Sequence, residues 1–302
     1  MLLVSFPIFL IIFFGWLSRR FKIINDGWIH VLNSFTYYIS LPALIIGAFW
    51  EINFLDENSL KIISWSLFGI ILFCFLVFLF LSFLKISKSV KTAIFLSATA
   101  GNTIYMGFPL IELGLGSEYL LKGAVIGVIY LIVPLLASIF VIRYWHSREN
   151  DILRQIYEFM KNPLVISVIV GVILSFLKLD FELISGAKKS IAMLGATASP
   201  VSLFVLGGFF YKRFLMNDLK EVLFISFLKI IVFPLIIIAV SFYFFENNDL
   251  RVFALLASMP VAVTTFVISE KFNINNGLVG NSIFISTILS LITSSVLIFI
   301  LK

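Results

Sequence analysis

The sequence predicts an all-α membrane protein with about ten transmembrane helices, arranged as two inverted five-helix repeats with two broken helices. This prediction rests on the composition, the length of the apolar runs and an internal repeat. Of the 302 residues, 61% are hydrophobic and 13% are charged, and the mean hydropathy is +1.12. Soluble domains contain about 45–50% apolar and 25% charged residues. A lipid bilayer must therefore be the solvent of this chain.

The apolar runs have the length of membrane helices. They extend over about 17–25 residues, whereas the strands of a membrane barrel alternate over about ten. The first run is followed by basic residues, which is the reverse of the charge order in a signal peptide, so we interpret it as a true span. The predicted spans are 2–18, 31–50, 61–84, 90–115, 120–143, 162–179, 189–211, 221–245, 251–271 and 277–301.

The distribution of basic residues predicts the orientation. The net charge of +6 lies in short gaps between apolar runs and forms no basic stripe, so we expect no nucleic-acid partner. The loops on one side of the membrane have fourteen basic residues and those on the other side have seven. Because the more basic side faces the cytoplasm, we predict a cell-membrane protein with both termini on the outer side. The inner set is Arg19, Arg20, Lys22, Lys85, Lys88, Lys91, Arg143, Arg148, Arg154, Lys161, Lys212, Arg213, Lys220 and Lys271; the outer set is Lys61, Lys122, Lys178, Lys188, Lys189, Arg251 and Lys302.

The two halves of the chain share a register of Pro and Gly residues. Three sets of positions recur with offsets of 156, 158 and 157 residues. An odd number of spans in each half inverts the second repeat, as in many secondary transporters. We predict repeats at 1–143 and 162–302, joined by a cytoplasmic loop at 144–161. The matched positions are Pro7–Gly15 with Pro163–Gly171, Pro42 with Pro200, and Gly123 with Gly280.

Catalytic and metal sites are not indicated. The one cysteine, Cys74, lies in an apolar run, and His30 and His146 are far apart at span boundaries. The predicted spans contain no histidine and no paired carboxylates for acid–base chemistry. We therefore expect no enzyme activity, no metal and no cofactor.

The fourth span predicts a broken helix. Its sequence, AIFLSATAGNTIYMGFPLIELGLG, has Gly101, Asn102, Thr103, Gly107 and Pro109 near mid-membrane. Proline removes a backbone donor, and nearby glycines allow the chain to unwind.

The ninth span repeats this pattern with Pro260, Thr264 and Thr265. A single break would be an ordinary kink, but breaks at corresponding positions of two repeats indicate a binding site. The ends of half-helices expose free amides with partial positive charge, which favours a carboxylate substrate.

The chain resembles the auxin efflux carrier family. The resemblance implies ten helices in two inverted repeats, a crossover of the fourth and ninth helices at Pro109 and Pro260, and a homodimer. Family members often have Asn where this chain has Thr264, which affects substrate specificity, since a hydroxyl replaces an amide. The resemblance rests on LPALI (41–45), GNTIYMGFPL (101–110), NPLVISVIVGVIL (162–174), SPVSLFVLGGFF (199–210) and MPVAVTTFVISEKF (259–272).

Individual polar residues have a structural and a functional interpretation. Asn102 either contacts substrate or makes an interhelical hydrogen bond at the crossover. Lys229, an intramembrane cation, binds either a substrate carboxylate or a protein carbonyl. Tyr105 lines a cavity or packs in the helix seam. Glu112 and Glu270 are interpreted as interfacial carboxylates.

Together these observations predict a secondary transporter that moves a small organic anion, a mono- or dicarboxylate, by alternating access. An anion leaving an inside-negative cell is driven by about 2.3 kcal/mol per charge at 100 mV, so export needs no coupled ion. Import would require a coupling cation such as sodium. The alternatives are a channel and a non-transporting sensor or scaffold.

Overall fold

The computed structural model describes residues 6–52, 56–146, 160–177, 182–211, 218–242, 244–245 and 247–300. Within these ranges every named element is a helix, which confirms the all-α prediction. Six helices have the length and composition to cross a membrane, and Pro163–Leu177 is a shorter apolar helix. The six are Asp26–Trp50, Glu57–Phe83, Ser117–His146, Ile184–Phe210, Leu219–Ser241 and Asn276–Ile300.

Fifteen α-helices are described, together with three π-helical segments and one 3₁₀ turn. The π-helical segments are Thr36–Ser40, Thr103–Gly107 and Leu228–Val232, and the 3₁₀ turn is Ser117–Tyr119. The α-helices are α1 Phe6–Arg20, α2 Asp26–Phe35, α3 Leu41–Trp50, α4 Glu57–Phe83, α5 Lys88–Thr99, α6 Phe108–Gly114, α7 Leu120–His146, α8 Pro163–Leu177, α9 Glu182–Ala196, α10 Ala198–Phe210, α11 Leu219–Phe227, α12 Phe233–Ser241, α13 Asn247–Ala257, α14 Thr264–Lys271 and α15 Asn276–Ile300.

Some sequence predictions fall on parts of the chain outside the described residues. The loop predicted at 144–161 is described only at 144–146, which end α7, and at 160–161. The basic residues used for orientation that lie outside the described ranges are Arg148, Arg154, Lys178, Lys212, Arg213 and Lys302.

The helices divide into two compact units. The first contains residues 1–7, 63–149 and 212–302, and the second contains residues 8–62 and 150–211. Each unit therefore takes helices from both halves of the sequence. All of the residues predicted to form the site belong to the first unit.

Each π-helical segment ends two residues before a proline. The prolines are Pro42, Pro109 and Pro234, and each lies at the start of the α-helix that follows. A proline inside a helix removes one hydrogen bond and its ring collides with a carbonyl one turn back. The wider π turn accommodates both effects, so the chain continues as a helix through these positions.

The second unit is held by close backbone contacts at glycines. A Cβ atom on Gly15 of α1 would lie 1.9 Å from the carbonyl oxygen of Phe204 in α10, and one on Gly207 would lie 1.8 Å from that of Ile12. Membrane helices gain little from burying apolar surface against each other, so close packing at small residues supplies the attraction. A larger residue at either position would force the two backbones apart.

Candidate functional site

In the first unit the chain leaves helical geometry at 100–102 and again at 258–263. The two stretches meet, because Gly101 and Val261 form an isolated antiparallel β-bridge. We call residues 100–102 and 260–262 the crossover. It is formed by the two spans, 90–115 and 251–271, whose sequences predict broken helices.

Two backbone hydrogen bonds hold the crossover. The Asn102 amide donates to the Pro260 carbonyl at 2.7 Å, and the Ala262 amide donates to the Ala100 carbonyl at 3.0 Å. A helix break leaves amides and carbonyls without partners in their own helix, and each would be costly in lipid. Here each break supplies partners for the other, which is why two unwound segments can coexist in a membrane.

Side chains satisfy further backbone groups around the crossover. The Val261 amide donates to the Ser286 hydroxyl of α15 at 3.0 Å. The Thr103 hydroxyl donates to the Gly127 carbonyl of α7 at 2.8 Å. Both contacts connect the crossover to an unbroken helix, so its geometry is fixed from two sides.

Two buried side-chain donors near the crossover have no hydrogen-bond partner. They are the Asn102 side-chain nitrogen, Nδ2, and the Thr264 hydroxyl oxygen, Oγ1. Asn102 as a residue is 4% exposed. A buried amide that only stabilised the protein would be paired, since leaving it unpaired costs about 1–3 kcal/mol. The structural interpretation of Asn102 was an interhelical hydrogen bond at the crossover, and its side-chain Nδ2 group makes no hydrogen bond.

Lys229 lies against the crossover. It is fully buried in the π-helical segment Leu228–Val232, and its ammonium donates to the Ala257 carbonyl at 3.0 Å. The ammonium also lies 4.3 Å from the centroid of the Phe233 ring, which stacks on Phe73. A Cβ atom on Gly101 would lie 2.8 Å from the Lys229 nitrogen. Gly101 therefore leaves the space that the lysine occupies.

The remaining predicted residues differ in position. Tyr105 is buried in the π-helical segment Thr103–Gly107, and Gly107 packs against α13. Pro109 lies outside the crossover, at the start of α6, because the π segment before it accommodates the ring. The break at 100–102 includes Gly101, which is one of the three residues that predict a broken helix in this span, together with Gly107 and Pro109. The Thr265 hydroxyl donates to the Ala262 carbonyl at 2.6 Å, so it is already used within the start of α14.

The charges around the site are few. Lys229 is the one fully buried ionisable residue with a formal charge among the residues whose burial is described. Glu112 and Glu270 are both exposed. Over the described ranges, no three His, Cys, Asp or Glu residues come together as metal ligands would.

Sequence reasoning missed three polar residues of this unit. Ser286 partners the Val261 amide, and the buried hydroxyls of Ser97 and Tyr130 have no hydrogen-bond partner. A signal for Ser286 existed, because serines recur every four residues along α15 and mark one face of that helix: Ser282, Ser286, Ser290 and Ser294. Ser97 and Tyr130 have no comparable signal.

Comparison with known proteins agrees with these features. Residues 3–298 match the family described as "Membrane transport protein". The chain belongs to this family. The match confirms the resemblance to the auxin efflux carriers, which are members of the same family, and identifies the chain as a multi-pass membrane protein.

The relatives of this chain have names that refer to transport. An uncharacterized transporter of Methanocaldococcus jannaschii is 25% identical over 301 residues, which cover 94% of both chains. An uncharacterized transporter of Methanothermobacter thermautotrophicus is 21% identical over 294 residues, 95% of this chain and 93% of that one. A Rhizobium meliloti protein named "Putative malonate transporter" is 25% identical over 318 residues, covering 98% of this chain and 94% of its own.

Proposed function

We propose that this protein is a secondary transporter that carries a small organic anion, a mono- or dicarboxylate, across the cell membrane by alternating access. The substrate binds at the crossover. The observation that carries the proposal is the buried, unpartnered Nδ2 group of Asn102 beside two broken helices. A site with free donors and a cation in a low-dielectric environment has the chemistry to bind a carboxylate.

The free donors stand at the beginnings of two half-helices. Asn102 directly precedes the helical run that begins at Thr103, and Thr264 is the first residue of α14. The first amides of a helix lack partners in the helix, and the helix dipole makes this end partially positive. An anion at the crossover therefore gains from the side-chain donors and from the helix ends together.

The substrate class follows from the same groups. A carboxylate accepts hydrogen bonds only, which matches an amide N–H and a hydroxyl used as donors. The name of the R. meliloti relative refers to malonate, a dicarboxylate, and this makes dicarboxylates the first candidates to test. An auxin-like monocarboxylate could use the same donors, but it has one carboxylate group where malonate has two.

The inverted repeat proposed for residues 1–143 and 162–302 is supported by contacts inside the second unit. The hydroxyls of Ser40 and Thr197 are 2.7 Å apart and separated by 157 residues, which is the offset of the sequence repeat. Gly15 of α1 packs on α10, and its repeat partner Gly171 of α8 packs on Phe49 of α3. Equivalent helices thus make equivalent contacts, as a two-fold relation between repeats requires.

Flux measurements test this function. The purified protein is reconstituted into liposomes loaded with unlabelled malonate. Uptake of labelled malonate is then measured with equal total malonate concentrations inside and outside, so that no concentration gradient drives it. A carrier gives saturable uptake that internal substrate accelerates. Linear, unaccelerated flux would indicate a channel, and no flux with any mono- or dicarboxylate would indicate a sensor or scaffold.

The driving force and the assembly are tested in the same preparation. We propose export driven by the membrane potential, so an inside-negative potential should accelerate efflux without a sodium or pH gradient. Uptake driven by a pH gradient at zero potential would contradict this. We also propose a homodimer, and native mass spectrometry should then give twice the 34.2 kDa chain mass.

A further inference from the structure

We propose that the Lys229 ammonium is a built-in cation of the crossover. It takes the place of the metal ion that a cation-coupled carrier would bind, so anion binding needs no cation from solution. Removing the ammonium should open a cation site that sodium or a small alkylammonium ion fills. This inference rests on the proposed function, because it assigns the coupling behaviour of the same site.

The carbonyl that Lys229 contacts is freed by the break in the helix. Ala257 is the last residue of α13, and in a continuing α-helix its carbonyl would accept from the amide of Val261. That amide donates instead to Ser286, so the break frees the Ala257 carbonyl. Lys229 is the donor that uses it, at 3.0 Å. Free carbonyls at the C-terminal ends of half-helices are the groups that coordinate sodium in carriers with broken helices.

The other groups around the Lys229 ammonium also suit a small cation. The face of the Phe233 ring lies 4.3 Å away and offers the negative side of its quadrupole to a cation. The absent side chain of Gly101 makes room for the nitrogen. The site therefore resembles a receptor for a small cation. It consists of a carbonyl at a helix C-terminus, an aromatic face and a space without a side chain, and the cation that occupies it is the ammonium of Lys229.

Among the described residues, the Lys229 ammonium has no negatively charged partner. An ammonium has three donors, and of these one hydrogen bond, to Ala257, is observed. No carboxylate forms an ion pair with Lys229 in the described part of the chain. A buried charge is normally paired, and an intramembrane cation in particular. A carboxylate substrate at the neighbouring crossover would supply the negative charge, and the lysine would supply the positive charge that sodium brings elsewhere.

The experiment compares wild type with Lys229→Ala in malonate-loaded liposomes. Uptake of labelled malonate is measured in sodium, in N-methylglucamine, and in N-methylglucamine with methyl-, ethyl- or propylammonium. We expect the same wild-type rate in every medium. Lys229→Ala should be slower by about tenfold or more in N-methylglucamine. It should recover in sodium or with the alkylammonium ion that fits the vacated space.

A matched control separates a local effect from a general effect of amines. Lys122 belongs to the same unit and forms an ion pair with Asp249 at 2.5 Å, and neither residue belongs to the crossover. Lys122→Ala should keep its rate in all media. Thermal unfolding of each variant, with and without ethylammonium, gives a second readout, and only Lys229→Ala should be stabilised by the amine.

Several outcomes would overturn the inference. If wild-type transport requires sodium, the inference is wrong. This outcome needs no variant, so it can be obtained even if Lys229→Ala does not fold. A folded Lys229→Ala protein that transports at the wild-type rate without added cation would also overturn the inference, as would one that no cation restores. In these three cases wild-type carboxylate transport leaves the proposed function standing. If the wild type moves no carboxylate, the proposed function fails and the inference fails with it.

Discussion

Replacing Ser286 with alanine should destabilise the first unit through the crossover backbone. The Ser286 hydroxyl is the partner of the Val261 amide at 3.0 Å, and the residue is fully buried. Its loss leaves a buried amide unpaired, which costs about 1–3 kcal/mol, and a few tenths return because alanine favours the helix. The net loss of about 0.7–2.7 kcal/mol shifts the unfolding equilibrium by about 3- to 100-fold. Because the amide belongs to the crossover, carboxylate binding should also weaken.

The assay is unfolding by SDS titration in mixed micelles, followed by the fluorescence of the five tryptophans. Ser290→Ala is the matched control. Ser290 is equally buried on the same helix, but its hydroxyl donates to the Thr287 carbonyl of its own helix at 2.7 Å. Because this bond stays within one turn of the helix and leaves no backbone amide unpaired, its removal should change stability only slightly. Equal unfolding midpoints for the two variants would refute the account of how the crossover is held.

Four further substitutions test particular contacts. Gly101→Ala places a methyl group 2.8 Å from the Lys229 nitrogen, so it should lower carboxylate affinity in a calorimetric titration; unchanged affinity would contradict the packing described here. Gly207→Ala puts a methyl group 1.8 Å from a backbone oxygen and should destabilise by about 1–3 kcal/mol, whereas Gly186→Ala, with open space around it, should stabilise by up to about 1 kcal/mol. Thr264→Val removes an unpartnered hydroxyl, so affinity should fall about 2- to 10-fold at unchanged stability; a loss of stability instead would indicate a structural role.

The fold class could be predicted because apolar composition and run length reflect the cost of unpaired backbone groups in lipid. The break in the ninth span could be located, because Pro260 lies inside it. In the fourth span the sequence indicated Gly101, Gly107 and Pro109 together, and the break at 100–102 includes only the first of them. A proline in the sequence can mark either a helix break or a π-helical segment that accommodates the proline ring. Which of the two occurs in the fourth span depends on the pairing of Gly101 with Val261, 160 residues away in the sequence.

Some residues of the site could be predicted from the sequence, but their contacts could not. Asn102 and Lys229 are identified by composition, since polar side chains in apolar runs are costly and therefore informative. Their contacts are not local: Lys229 meets a carbonyl 28 residues away, and Val261 meets a hydroxyl 25 residues away. Thr103 and Thr265 were predicted with the same arguments as Thr264, and only the three-dimensional structure separates the two used hydroxyls from the free one.

The most direct test of carboxylate binding at the crossover is a thermal-shift measurement. The melting temperatures of wild type and Asn102→Ala are compared with and without a panel of small carboxylates. Nδ2 of Asn102 has no partner, so its removal should leave the melting temperature without ligand unchanged or raised. We predict that a dicarboxylate stabilises the wild type and Ser290→Ala, and that the shift disappears in Asn102→Ala. A variant that melts lower than wild type without ligand, yet is stabilised equally by the same carboxylate, would contradict a binding role for the crossover.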